Sequence, residues 1–178
     1  MRRWILTALV AAMIGQASAQ DSESRASTSS PATKISEVFK QMPDSLMPYL
    51  TQNNRLDFID FMESNMKADV TNDLGGKSQM TALTDDSISI RLNEACLMDI
   101  LLLNTTHDVD SCRQVIAIVR TIGRENDIQE SVEPQFYTVS WKPLPVAPQL
   151  TETDRKRLAS CVKPVNILNF IKKKIKKI

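Results

Sequence analysis

One short stretch of the chain carries most of the side-chain types that can do chemistry. It reads His107-Asp108-Val109-Asp110-Ser111-Cys112. A histidine near a thiol can act as the base that activates a nucleophile, and the two aspartates offer oxygens of the kind that calcium ions bind. A calcium loop needs further acids and a glycine, whereas this chain continues as Arg113-Gln114-Val115. We therefore predict a polar connection between two strands, and a small hydrolase using residues 107–112 is kept as an alternative.

A second stretch, Gly75-Gly76-Lys77-Ser78, resembles the end of a phosphate-binding loop. The complete motif has a glycine five residues before Gly76, and Thr71 occupies that position. The motif also lies between a strand and a helix, whereas the pattern here predicts a helix before it and a strand after it. We therefore expect an ordinary turn.

The chain contains few of the residues from which metal and cofactor sites are built. It has one histidine and no Cys-x-x-Cys spacing, so a zinc site of the usual type is not expected. We assign no catalytic residue, no metal ligand and no cofactor, and the sequence singles out no residues for binding a ligand.

The first 19 residues have the pattern of a cleavable secretory signal. Arg2 and Arg3 precede an apolar stretch at residues 4–14, and Ala17-Ser18-Ala19 supplies the small residues that a signal peptidase recognises. The apolar stretch is shorter than the roughly 20 residues that cross a bilayer. We expect export to the periplasm or the cell exterior. Residues 20–33 are mostly small, polar or charged and are predicted to form a disordered leader.

The charge distribution argues against a nucleic-acid partner. The chain has 22 basic and 21 acidic residues. Arg2, Arg3 and the six lysines from position 163 onward account for eight of the basic residues, so residues 20–162 hold 14 basic against 21 acidic groups. Binding to phosphates requires clustered lysine and arginine, which this acidic segment lacks.

The three cysteines are an odd number for a protein bound for an oxidising compartment, so at least one is unpaired within the chain. If residues 97–103 and 115–122 form a hairpin closed around residues 104–112, Cys96 lies opposite about position 120. Cys96 and Cys112 are then too far apart to form a disulfide. The pairing of Cys161 is left open.

Hydrophobic spacing predicts helices first and strands afterwards. Apolar residues at i, i+3, i+4 and i+7 from Ile35 predict a short helix that Pro43 ends. A brief turn around residues 46–50 is followed by a longer predicted helix, capped by Asn54 and running to about Met66.

The period then changes from 3.6 to 2, as Ile88, Ile90 and Leu92 alternate with polar residues. Three more runs, 97–103, 115–122 and 136–141, predict a four-stranded antiparallel meander. We expect an α+β domain over residues 34–145, with the helices packed on one face of this sheet in two layers.

The remainder of the chain is predicted to leave the sheet. Residues 146–165 form a proline-rich exit and a short helix, which Thr151 and Asp154 begin in the manner of a capping box. Residues 166–178 form a Lys-rich tail, which we expect to be a solvated appendage because no acid in its sequence relieves the repulsion between its lysines. The alternative is a peripheral membrane protein that lies on anionic lipid through this tail.

Three ordered blocks between residues 38 and 144 carry a resemblance. They read VFKQMPDSLMPYLTQNNRLDFIDFMESNMKADVTN, LGGKSQMTALTDDSISI and FYTVSWKPL. In these blocks the chain is similar to an uncharacterised family of secreted proteins from Bacteroidales, a domain of unknown function. The order of a helix pair and four strands is also similar to the β-lactamase inhibitor protein fold, which implies an architecture alone. The resemblance implies no catalytic residues.

The same resemblance suggests a modification, because bacteria of this group O-glycosylate exported proteins at Asp-Ser/Thr-apolar triplets. The chain has two such triplets, at Asp44-Ser45-Leu46 and Asp86-Ser87-Ile88. Ser87 begins a predicted strand on the face assigned to water, so we expect it to be more accessible than Ser45.

These observations favour a secreted, non-enzymatic module that binds a protein or another component of the cell envelope through its sheet or its loops. The ligand and the oligomeric state are not predicted.

We predict that export is accompanied by cleavage after Ala19. Mass analysis of the N-terminus of exported protein should give a chain that begins at Gln20 or at its cyclised form. Mature protein that retained Arg2 and Arg3 would contradict the prediction.

Overall fold

The computed structural model describes residues 33–123 and 129–163. The helices are α1 (Ile35–Lys40), α2 (Gln52–Glu63) and α3 (Glu152–Cys161), with a 3-10 turn at Asp44–Leu46. The strands are β1 (Ala68–Thr71), β2 (Lys77–Leu83), β3 (Ser87–Asn93), β4 (Cys96–Val109), β5 (Cys112–Ile122), β6 (Glu130–Ser131), β7 (Gln135–Thr138) and β8 (Pro143–Leu144). The predictions for the signal (1–19), for residues 20–32 of the leader and for the tail (166–178) lie outside the described residues.

The α+β class and the antiparallel sheet are confirmed, but the predicted count of four strands is wrong. Over residues 33–123 and 129–163 the sheet has eight strands in the order β1-β2-β3-β4-β5-β7-β8, with β6 paired to the end of β5. The four predicted runs lie in β3, β4, β5 and β7. The strands β1 and β2 were not predicted. In β2, buried Ser78 interrupts the alternation of apolar residues. Its hydroxyl donates to the Leu92 carbonyl at 2.7 Å, so a polar residue is accommodated in the core.

The hairpin of β4 and β5 is longer than predicted and differs in register. Cys96 lies opposite Ile122, not opposite about position 120. The pairing runs to Val109 opposite Cys112 after an irregularity that begins at Asn104. Asp110 and Ser111 then form a two-residue turn with φ of 51° and 65°, the left-handed geometry of a tight hairpin connection.

One face of the sheet, which we call the inner face, carries the main core and is covered by α1 and α2. From the helices, Ile35, Phe39, Phe58 and Ile59 are fully buried against it. The sheet contributes alternate residues of successive strands, including Ile88, Ile90, Met98, Ile100, Leu102, Ile116 and Ile118. The predicted packing of the N-terminal helices on one sheet face accounts for this layer.

The predicted two-layer arrangement is wrong, because α3 packs on the opposite face of the sheet, which we call the outer face. Leu101, Leu103, Val115 and Ala117 are buried there, and Leu158 and Cys161 of α3 pack against them. The central strands are therefore covered on both sides, which explains why β4 reads as the continuous apolar run 100–103 instead of alternating. As predicted, Thr151 begins α3, with its side chain accepting from the Asp154 N–H.

The cap predicted for the longer N-terminal helix is off by three residues. Thr51, not Asn54, precedes α2, and its hydroxyl accepts from the Asn54 N–H at 3.2 Å. The Asn54 side chain in turn accepts from the Thr51 N–H at 3.1 Å. Asn54 therefore contributes the second half of a capping box.

Buried Arg55 fixes the segment between α1 and α2. It is 2% exposed, and its guanidinium donates to the carbonyls of Leu50 at 2.9 Å and Met42 at 2.8 Å. It also donates to the Asp44 carboxylate at 2.7 Å, while its Nε has no hydrogen-bond partner among the described residues. One side chain thus satisfies backbone groups on both sides of the 3-10 turn.

Trp141, which follows β7, covers the inner core beside α1. The predicted strand 136–141 ends early, at Thr138, and Trp141 adopts a left-handed φ of 64°. Its indole N–H donates to the Val38 carbonyl of α1 at 2.9 Å, and its ring lies 5.8 Å from that of Tyr137.

We predict that Arg55→Met lowers the free energy of unfolding by about 3 kcal/mol, because it leaves buried carbonyl groups without donors. The matched control is Arg113→Met, which removes an exposed arginine and should change stability by less than about 0.5 kcal/mol. Urea unfolding of both variants measures the difference. Equal losses would show that Arg55 does not hold the segment.

Candidate functional site

The two acidic side chains in the stretch 107–112 are paired with basic residues outside it. Arg113 donates to Asp108 at 3.0 Å, and Lys142 donates to Asp110 at 3.0 Å. The Nδ1 atom of exposed His107 lies 3.1 Å from the Thr106 hydroxyl. Within the described part of the chain, no hydrogen bond joins His107 to Cys112. The stretch closes the hairpin, as predicted, but only Asp110 and Ser111 form the connection, because residues 107–109 belong to β4 and Cys112 to β5.

The thiols of Cys96, Cys112 and Cys161 form no disulfide. Cys96 and Cys112 lie at opposite ends of the β4–β5 hairpin, so they are unbridged, as predicted. Burial raises the pKa of Cys96. Burial and the nearby Asp99 carboxylate raise the pKa of Cys161. These last two thiols are therefore less nucleophilic than an exposed cysteine at neutral pH.

Gly75 and Gly76 lie in the predicted turn, which is built around Asn72, and Lys77 and Ser78 begin β2. The Asn72 side-chain oxygen accepts from the N–H groups of Leu74 at 3.1 Å and Gly76 at 3.0 Å. Its amide group donates to Ser78 at 3.0 Å. The backbone donors that a phosphate would use at Leu74 and Gly76 are thus already occupied.

The two candidate glycosylation sites differ in accessibility, in the opposite order to the prediction. Ser87 is half-buried, and its hydroxyl lies 2.7 Å from that of Thr84. Ser45 is exposed in the 3-10 turn. The polar face of β3 is less open at Ser87 than the alternation suggested. Modification at either serine stays a prediction.

The structure reveals a different candidate site, the outer face of β1, β2 and β3 with the adjoining part of β4, which we call the open face. Asp69, Gln79, Arg91 and Leu97 lie directly opposite one another in four successive strands. They form one row of side chains across the sheet. No apolar cluster within residues 33–123 and 129–163 covers the outer side of β1, β2 or β3.

A second row of the open face lies next to the first. Ser89 is opposite Asp99, and its hydroxyl donates to the Asp99 carboxylate at 2.6 Å. The Lys67 ammonium lies 2.6 Å from the Asp69 carboxylate at the edge of the face. The open face therefore presents charges of both signs and hydroxyl groups on a backbone that the inner core holds rigid.

The helix α3 borders the open face, and buried Asp154 fixes its position. The Asp154 carboxylate accepts from the Asn104 N–H at 2.8 Å, the Asn104 side chain at 2.9 Å and Thr151 at 3.1 Å. It also accepts from Arg157 at 2.7 Å. Arg157 reaches Asp86 beside β3 at 2.9 Å, so the helix is bound to the sheet at two points.

These contacts determine the ionisation of Asp154. Burial alone would raise the pKa of Asp154, but the hydrogen bonds from Asn104, Arg157 and Thr151 outweigh it and lower the pKa. The carboxylate is therefore ionised in the folded protein at neutral pH and accepts all of these bonds.

The open face could not be found from residue types, because its members are ordinary polar residues. Two of its four strands, β1 and β2, were not predicted. The one available signal was the alternation of Ser78 and Met80 with Lys77, Gln79 and Thr81, which the turn before it obscured.

Comparison with known proteins identifies the family. A protein family described as "Protein of unknown function (DUF3256)" matches residues 27–175. The chain belongs to this family. The family match is longer than the range between residues 38 and 144 on which the resemblance rested, and it takes in α3.

A solved structure described as a domain of an uncharacterized protein from Porphyromonas gingivalis W83 is similar to the chain at 23% sequence identity, with a TM-score of 0.48. The alignment covers 63% of this chain and 54% of that one, so the chain spans about half the length of the matched structure. No curated protein matches the chain.

The described residues were also compared with the requirements for a membrane-spanning helix and for a metal site. None of their helices is both long enough and apolar enough to span a bilayer. No group of three or more histidine, cysteine, aspartate or glutamate side chains in residues 33–123 and 129–163 is arranged to hold a metal ion.

We predict that Asp154→Asn lowers the free energy of unfolding by about 2 kcal/mol at pH 7, since the amide loses charged hydrogen bonds. The lowered pKa means that this stabilisation is present above the unfolded value of about 3.9 and is lost as pH falls through the folded value. The variant should therefore lose less stability than the wild type between pH 5 and pH 3.

Urea unfolding across that pH range measures both effects, with exposed Asp57→Asn as the control that leaves them unchanged. Parallel pH profiles for the wild type and Asp154→Asn would refute the assigned role of Asp154.

Proposed function

We propose that the chain is a secreted, non-enzymatic interaction module of the cell envelope that binds a protein partner through the open face. The observation that carries the proposal is the row of Asp69, Gln79, Arg91 and Leu97 across four strands, with no apolar cluster of the described residues over it. A sheet whose inner face is packed by helices presents such a row without any rearrangement on binding.

The chemistry of the open face suits a protein surface. It combines both signs of charge with hydroxyl, amide and one large apolar side chain, a mixture that gives specificity through complementary potentials. Four strands about 4.8 Å apart make it about 19 Å wide. A standard interface buries about 800 Å² on each partner, so we expect the turns at residues 72–76 and 94–95 to contribute. Leu74, which is 72% exposed, is an apolar anchor in the first of these turns.

Export is the second part of the proposal and is supported by the signal pattern of residues 1–19. The periplasm and the cell exterior are both compatible with it. The likeness to the β-lactamase inhibitor protein fold is kept as a proposal about architecture, and the helix pair before the sheet supports it.

The hydrolase alternative gains no support from the geometry of residues 107–112, because the partners of Asp108 and Asp110 are Arg113 and Lys142. The alternative of membrane contact through the tail concerns residues outside the described part of the chain.

The proposed function predicts that Gln79→Arg weakens the capture of a protein partner, since it places a bulky charge in the middle of the open face. The matched control is Gln41→Arg, the same change at the exposed end of α1, on the other side of the sheet. Both variants and the wild type are used as bait for crosslinking in the envelope of the native host, after circular dichroism has shown equal folding. We expect one protein whose recovery falls at least about tenfold with Gln79→Arg alone.

Recovery that fell equally with both variants, or with neither, would refute the open face as the binding surface.

A further inference from the structure

An apolar cleft lies at the end of β5, and no described residue of α1 or α2 lines it. It has a volume of about 340 Å³ and is lined by Ile122, Gly123, Glu130, Ser131 and Val132. The two large apolar side chains in it are left in water, with Ile122 54% and Val132 44% exposed. Single exposed apolar residues are ordinary on protein surfaces, but two that share one cleft form a site for an apolar group.

The described chain ends at this cleft. The Ser131 N–H donates to the Lys163 carbonyl at 3.2 Å, and the Lys163 N–H donates to the Ser131 hydroxyl at 2.8 Å. Lys163 therefore lies along the edge of β6 that does not face β5. Five further residues can extend about 16 Å, so residues 164–168 are long enough to reach Ile122 and Val132.

The segment that follows Lys163 has the composition that the cleft requires. It reads Pro164-Val165-Asn166-Ile167-Leu168-Asn169-Phe170-Ile171 and continues into lysines at 172–174. Glu130 lines the cleft and exposed Glu133 follows it. These two acids are the partners that the tail lacks within its own sequence, since carboxylates near the lysines relieve their mutual repulsion.

We propose that residues 165–171 dock in this cleft, with their apolar side chains on Ile122 and Val132 and the following lysines beside Glu130 and Glu133. The tail is then a part of the domain, which replaces the expectation of a solvated appendage.

The test is a double-mutant cycle on the thermal unfolding of the whole chain. One change removes residues 165–178, and the other is Ile122→Thr with Val132→Thr, which keeps the β-branched shape but makes the cleft polar. We expect the truncation to lower the unfolding midpoint by about 5 °C in the wild type and by less than about 1 °C in the Thr background. The variant Lys172→Gln with Lys173→Gln keeps the apolar segment and should cause a smaller loss than the truncation.

A truncation that left the wild-type midpoint unchanged, or lowered it equally in both backgrounds, would overturn the proposal. Two further measurements identify the other occupants. Co-sedimentation with phosphatidylglycerol vesicles that requires residues 165–178, together with an unchanged midpoint, would assign the tail to a membrane. A dimer in sedimentation equilibrium that the truncation dissociates would assign the cleft to the tail of a second copy, and either result would overturn docking within one chain.

Discussion

A strand that is apolar on both faces must be covered on both, and β4 is such a strand. Ile100 and Leu102 are buried on the inner face, and Leu101 and Leu103 on the outer face. Two helices from the start of the chain satisfy the first requirement, and α3 from its later part satisfies the second. Because α3 packs over the central strands, no apolar cluster of the described residues covers the outer side of the strands before β4, whose polar side chains are half-buried there. The location of the open face is thus a consequence of where the chain needs its third helix.

Buried polar side chains hold the ends of the elements in this fold. Arg55 donates hydrogen bonds to free carbonyls between α1 and α2. Asp154 accepts hydrogen bonds from groups of β4 and α3, and Asn72 accepts them from N–H groups of the first hairpin turn. Each one is hydrogen-bonded to backbone groups that no regular ladder satisfies, so each is tolerated in the core. The bonds of Asn72 hold the turn at residues 72–76, which lies at the margin of the open face.

Prediction from sequence succeeded where one local rule determined the outcome. The bounds of β3 follow from the strict alternation of its apolar and polar residues. Thr151 begins α3 because its hydroxyl accepts a hydrogen bond from the N–H three residues later. Prediction failed where a distant partner determined the outcome. The residue opposite Cys96 depends on the register shift between Asn104 and Val109, further along the same strand. Ser78 is compatible with the core because its hydroxyl donates a hydrogen bond to the Leu92 carbonyl. The open face could not be predicted for the same reason. Its row of side chains, one from each strand, forms only when the four strands pair in this register.

The hydrogen bond between Trp141 and Val38 has a consequence for the order of folding. It joins residues 103 positions apart and seals the inner core between α1 and the end of β7. Contacts of such long sequence separation form late, because the chain entropy of closing the loop is lost before the contact stabilises anything. The helix pair at the start of the domain therefore cannot complete its packing until nearly the whole sheet has emerged. A chain that leaves the ribosome or a translocation channel from its N-terminus therefore keeps the inner core unsealed until Trp141 has emerged.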